Sequence, residues 1–158
     1  CTPKDPLCPK CTLHDLCKGF TSGEPEMFPV KTIKKKIPHI EAISAVIHKD
    51  RRVLLNQRPP KGLLGGLWEF PNWEIGEKRS LRLRLRNYII KEIGLNVDVN
   101  DLIGTFHQTY SHFKLTLQVF HCQPLNGKGK GKWTPIQKLH LLPMSRIHRK
   151  IADAILSK

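Results

Sequence analysis

Four of the five cysteines fall within the first 17 residues, at Cys1, Cys8, Cys11 and Cys17, in a C-x6-C-x2-C-x5-C spacing. A thiolate is a soft ligand, and four so close together in sequence suit an iron–sulfur cluster or a zinc ion. Zinc ribbons pair two short C-x2-C units. Here only Cys8 and Cys11 form one, so the spacing favours a [4Fe–4S] cluster and leaves zinc, or a cysteine-rich segment without metal, as alternatives. A secreted disulfide fold would spread its cysteines to staple the chain, so the clustering implies a reducing compartment. Cys122 stands alone in an apolar-alternating run and is expected to be a small buried hydrophobe. The acids form no such constellation. Asp5, Asp15, Glu24 and Glu26 fall in turns or a linker, and no carboxylate pair is placed for acid–base chemistry.

Charge supplies the second signal. Lys and Arg number 27 against 13 Asp and Glu, a formal net charge of +14 on 158 residues. Such a surplus points to a polyanion, nucleic acid first and an anionic membrane surface second. No apolar run approaches the ~20 residues that a bilayer span needs, and no secretory signal pattern is present. Hydrophobic residues at 39% and aromatics at 7% are enough for one modest core. The first residue is Cys1 rather than Met, which is read as a processed, trimmed or fragmentary chain.

The elements that must position these residues follow from pattern. Residues 1–17 make a compact, loop-rich unit, broken by Pro3, Pro6 and Pro9. Residues 18–37 read as a linker, with Gly19, Gly23, Pro25, Pro29 and the basic run Lys34, Lys35, Lys36. From His39 the pattern becomes β-rich. Ile40, Ala42, Ser44 and Val46 alternate, Asp50-Arg51 marks a turn, and residues 52–57 return. A Pro/Gly loop over 59–67 leads to an irregular strand over 68–75. A helix is expected from about Ser80 to Ile93, because Leu81, Leu85, Ile89 and Ile93 share one face and Gly94 stops it, although LRLRLR also reads as a strand. Further strands are expected over 95–99, 102–107 and 113–122, a flexible basic loop over 125–132, and a helix from about 143 to 157. The fold class is therefore α+β: a short cysteine-rich loop, then a mixed β-sheet domain with two helices over 38–158.

Two resemblances follow from these residues. The run CTPKDPLCPKCTLHDLC resembles the iron–sulfur loop of the endonuclease III family of DNA repair glycosylases. The resemblance implies that all four cysteines ligate a structural [4Fe–4S] cluster. It also implies that basic residues between the first two ligands meet DNA phosphates, a place occupied here by Lys4, with Lys10 nearby. The second domain resembles a Nudix domain through GLLGGLWEFP and a helix ending in KEIGL. A functional Nudix box closes in R-E-U-x-E-E-x-G-U (U aliphatic), whose glutamates hold divalent metal. Those positions read Asn87, Tyr88, Ile89, Ile90, Lys91, Glu92, Ile93, Gly94 and Leu95, so only Glu92 remains among the acids. Lys91 at a carboxylate position would repel Mg²⁺, and nucleotide hydrolysis is not expected. Arg79, Arg82, Arg84 and Arg86 make the helix cationic instead.

One family joins these units in this order, the MutY-type adenine DNA glycosylases, and the whole chain resembles their C-terminal part. HQTYSH at 107–112 is similar to that family's F-S-H loop, with Tyr110 in place of Phe, and PMSRIHRKI at 143–151 to its closing helix. The resemblance implies removal of adenine opposite 8-oxoguanine in duplex DNA. Ser111 would read the lesion, His112 would steady the loop or a phosphate, and Tyr110 would stack or wedge near the bases. Trp68, Phe70 and Pro71 are assigned to core packing, and His107 to a structural role. The family's catalytic Glu and Asp belong to a helix-hairpin-helix domain upstream of the cysteine loop. No residue here is therefore assigned as catalytic, and the chain alone is expected to be inactive. A monomer without membrane association is expected, in cytoplasm and nucleoid if bacterial, in nucleus or mitochondrion if eukaryotic. The alternatives are a zinc-bound nucleic-acid-binding module and, less favoured, a Nudix hydrolase.

Overall fold

Residues 42–47 (AISAVI) are apolar at all positions but Ser44, the signature of a strand covered on both faces. In the computed structural model, which describes residues 5–28, 30, 37–76 and 79–157, all six are buried. They lie in β1 (His39–Lys49), the middle of a seven-stranded mixed sheet. The other strands are β2 (Arg52–Gln57), β3 (Trp68–Glu69), β4 (Asn72–Glu74), β5 (Asn96–Thr109), β6 (Lys114–Asn126) and β7 (Lys132–Pro135). The main path runs β3-β2-β1-β6-β5, with β4 paired to β1 and β7 to β2. Only the β1–β6 pair is parallel among these ladders, in register from His39↔Lys114 to Ile47↔Cys122.

The sheet separates two apolar cores. On one face Ala42, Val46, Leu117 and Val119 pack with Phe70 and with Ile147 and Ile151 of the helix α3 (Arg146–Leu156). On the other, Ile43, Ala45, Ile47, Phe120 and Cys122 pack with Leu85 of α2 (Leu81–Tyr88) and with Ile89 and Ile93 of the π-helical turn that continues it. Gly94 ends that helix at φ 79°, a left-handed conformation that glycine adopts without penalty. The arrangement is the expected α+β mixed sheet with two helices packed on it.

Several local expectations change. The segments 95–99 and 102–107 are one strand, β5, because bulges between Val99 and Gly104 absorb the turn-prone Asn100-Asp101 instead of breaking the ladder. Residues 125 and 126 still belong to β6, and β7 begins at Lys132. The 68–75 segment is two short strands split at Phe70-Pro71, where the Pro71 carbonyl accepts from Ala45 N–H and the Ser44 hydroxyl, both at 2.9 Å. Leu83, off the apolar stripe of α2, is exposed.

By its internal contacts the chain divides into two units, Cys1–Lys36 and Ile37–Lys158. Within the first, 18–28 carries local structure that its composition does not announce, a helical turn α1 (Lys18–Thr21) and a 3-10 turn Pro25–Met27. No helix among the described residues is long and apolar enough to cross a membrane.

Candidate functional site

Short backbone turns set the cysteines. Cys8 opens a 3-10 turn that Cys11 closes by donating its N–H to the Cys8 carbonyl at 3.0 Å. Cys17 closes the next such turn on His14 and then caps α1, its carbonyl accepting from Phe20 and Thr21. All three thiols are free, and all three line one hollow of about 580 Å³ walled by Leu7, Leu13, Leu16 and Phe20. No described side chain of this unit is buried, and Leu16 is 85% exposed. A unit this short builds little core of its own, so its large apolar residues surround the hollow instead. Among the described residues no three His, Cys, Asp or Glu side chains come together tightly enough to hold a single metal ion. Cys1 and Lys4 lie outside the described residues. Lys10 is exposed and lines the same hollow.

The box helix presents one acid, and the protein itself occupies it. The Glu92 carboxylate accepts from the Trp73 indole N–H at 2.9 Å. Trp73 in turn stacks on Tyr88, ring centres 5.5 Å apart and nearly parallel. Trp73 and Glu92 border a hollow of about 250 Å³ with Asn56, Asn72, Lys130 and Glu69. Glu69 is also engaged, accepting from Arg58 at 2.7 Å. His148 on α3 stands 3.7 Å from the same carboxylate through Nε2, and its Nδ1 accepts from the Phe70 backbone N–H at 3.3 Å. Burial, and next the Arg58 charge, hold His148 down at about 4, so at neutral pH it is an uncharged acceptor. Burial, then Asp98, pushes the Cys122 thiol up to about 12, which fits the inert hydrophobe expected there.

Tyr110, Ser111 and His112 form the tip of the β5–β6 hairpin. The turn is closed by Tyr110 N–H donating to the Phe113 carbonyl at 2.8 Å and by the two rings stacking at 4.7 Å. Ser111 and His112 are exposed, and the Ser111 hydroxyl has no partner among the described residues. The hairpin thus brings together at one exposed tip the three residues assigned to the lesion.

Beside this tip lies a cluster that residue types alone did not single out. Thr116 Oγ1 stands 2.8 Å from His39 Nε2 and 3.0 Å from His107 Nδ1, joining β1, β6 and β5. The available signal was the polar alternation Thr105, His107, Thr109 against Lys114, Thr116, Gln118, which marks an uncovered stretch of sheet. Trp68 and Phe70 are core residues as expected, Phe70 fully buried and Trp68 packed against the same core, with Lys132 Nζ 4.9 Å from the Trp68 ring centre.

Known proteins share both units or one. The chain is 26% identical to the adenine DNA glycosylase of Homo sapiens across 96% of its own length and 37% of that protein, so it spans little more than a third of this relative. It is 28% identical to the CTP pyrophosphohydrolase of Escherichia coli over 56% of its own length and 65% of that protein. Among solved structures, the C-terminal domain of mouse MUTYH, determined in complex with human PCNA, shares the fold at a TM-score of 0.60 and 23% identity, over 75% of this chain and 88% of that one. The chain therefore resembles the C-terminal, Nudix-like part of adenine DNA glycosylases. The family model for the NUDIX domain matches residues 42–154, nearly the whole second unit, and the chain belongs to that family.

Proposed function

We propose that this chain is the cluster-binding and lesion-recognition part of an adenine DNA glycosylase that removes adenine opposite 8-oxoguanine. One observation carries the reading: the glycosylase likeness runs through both units, 96% of the chain, whereas the hydrolase likeness stops at 56%. The cysteine loop at 1–17, the linker at 18–37 and the recognition domain at 38–158 then belong to a single repair protein, with double-stranded DNA as partner and a separate catalytic domain supplying the chemistry. It acts as a monomer, in bacterial cytoplasm and nucleoid or in a nucleus or mitochondrion.

The cysteine loop fits a [4Fe–4S] cluster by its donor chemistry. Cys8, Cys11 and Cys17 are unpaired thiols around one apolar-walled hollow, and Cys1 completes the set in sequence. These four residues would hold the cluster, which supplies a structural staple to a segment with no buried side chain among its described residues. Lys4 and Lys10 present positive charge for phosphates. In the hairpin tip, Ser111 reads the lesion while Tyr110 and His112 flank it.

The second domain binds rather than hydrolyses. Glu92 is committed to Trp73 and Glu69 to Arg58, which leaves no free carboxylate pair among the described residues at the box helix to hold a divalent ion against a diphosphate. Analysis for iron and inorganic sulfide, coupled to duplex binding, tests the proposal. Iron and sulfide in near-equal amounts, tighter binding to 8-oxoguanine:adenine than to guanine:adenine duplex, and no adenine release by the chain alone are expected. Bound zinc without sulfide would favour the zinc-module alternative, and Mg²⁺-dependent diphosphatase activity would favour the hydrolase.

A further inference from the structure

The face of the sheet that packs on α2 is only partly covered. Where β1, β5 and β6 run past the helix, its apolar residues give way to His39, Glu41, Lys114, Thr116, His107 and Thr109, placed side by side by the register His39↔Lys114↔Thr109 and Glu41↔Thr116↔His107. His39 and His107 are exposed, and the patch borders the Tyr110–Phe113 turn. Thr116 joins the two imidazoles through one oxygen. A hydroxyl has a single proton to give, so it can donate to one ring while accepting from the other. With both rings neutral and the hydroxyl so engaged, only one of the outward nitrogens, His39 Nδ1 or His107 Nε2, carries a proton. Both become donors only when the pair takes up one more.

The geometry points to a proton-linked phosphate grip: His39 and His107, coupled through Thr116, hold a DNA phosphate beside the lesion-reading turn and gain a proton as they do so. The inference rests on the DNA reading above and extends it to a site outside the turn. A phosphate that favours the doubly donating state makes binding tighten as pH falls. Among the described residues, the charged or titratable groups that chain and register set beside the pair are Lys114 on β6, His112 in the turn and Glu41 on β1, which already has an interaction within the protein. The β5 residues facing the pair, Thr105 and Thr109, are uncharged. Carboxylates and diphosphates offer similar acceptor atoms, but a patch on an open sheet face next to an exposed hairpin suits a backbone phosphate of a duplex.

The test is duplex affinity of the full chain at fixed salt between pH 7.5 and pH 6, for the unaltered protein, the double variant His39→Gln/His107→Gln, and Thr116→Val, each checked for folding by circular dichroism. Affinity of the unaltered chain should rise about tenfold toward pH 6, approaching one proton taken up. The double variant should bind more weakly, by the loss of one phosphate contact, and lose most of that pH response, leaving the share of the other histidines. Thr116→Val should reduce the response, because the rings then titrate separately. A double variant that binds DNA with an unchanged pH response overturns the grip and leaves the DNA reading standing. Failure of the unaltered chain to bind duplex at any of these pH values, even at low salt, overturns both.

Discussion

A serine hydroxyl donates one hydrogen bond and accepts others, which is the equipment needed to tell 8-oxoguanine from guanine. The lesion carries a proton on N7 and a carbonyl at C8, whereas guanine offers only an N7 acceptor. Ser111 has that equipment free: it is exposed, unpartnered among the described residues, and held on a turn closed by a 2.8 Å backbone hydrogen bond. Tyr110 keeps its ring against Phe113, as a phenylalanine could. Ser111→Ala should weaken discrimination between 8-oxoguanine and guanine by on the order of 1–3 kcal/mol, the worth of one good base-edge contact. Competition binding with the two duplexes measures it. An unchanged ratio would move the reading role to another residue of the hairpin.

At the scale of elements, α3 is joined to the sheet by more than its apolar stripe. His148 accepts from Phe70 N–H, and Arg149 donates to the carbonyls of Leu139 and Leu142, tying the helix to the β3–β4 connection and to the 3-10 turn Ile136–Leu141 with its C-cap. The His148 bond requires a neutral ring. Its proton affinity is lowered from the ordinary 6.5 to about 4, so between those values the unfolded chain binds the proton more readily than the folded one. The stabilisation is complete above pH 6.5, declines as pH falls, and is gone below pH 4. It amounts to on the order of 3 kcal/mol for this nine-tenths-buried group. Urea unfolding at pH 7 and pH 4.5 should show His148→Gln, which keeps an acceptor without the titration, losing less stability than the unaltered chain. Equal losses would assign the acid sensitivity to other groups. His148 was not legible as an anchor, because in PMSRIHRKI it stands beside the isoleucine stripe and only the tertiary fold shows what faces it. The stripe itself was legible: Ile147 and Ile151 are core residues, as their spacing required. The alternation of Ile40, Ala42, Ser44 and Val46 predicts the strand β1, while the AISAVI run carries the further sign of a strand buried on both faces. The continuity of β5 was hidden by Asn100-Asp101, whose local turn preference the long β5–β6 ladder overrides through its bulges.

At the scale of the whole molecule the charge of +14 is too large to be used against one ligand at one time. Part of it is internal, as with Arg149 on backbone carbonyls. In the second unit the sheet divides further positive charges: Arg82, Arg84 and Arg86 ride on α2 against one face, while Arg146 and Lys150 ride on α3 against the other. A straight duplex meets one side of such a domain, so it can neutralise only a fraction of the surplus. Counterion release then sets the salt dependence, each phosphate contact contributing about −0.9 to the slope of log affinity against log salt. Four or five contacts from one side give a slope of about −4, far from the roughly −13 that all fourteen charges would produce. Fluorescence anisotropy with a short duplex at several salt concentrations measures this directly. A slope near zero would make the basic surplus a solvated surface and remove the charge argument for DNA. A slope steeper than about −10 would mean that the duplex bends around both faces, since one-sided docking cannot supply so many contacts.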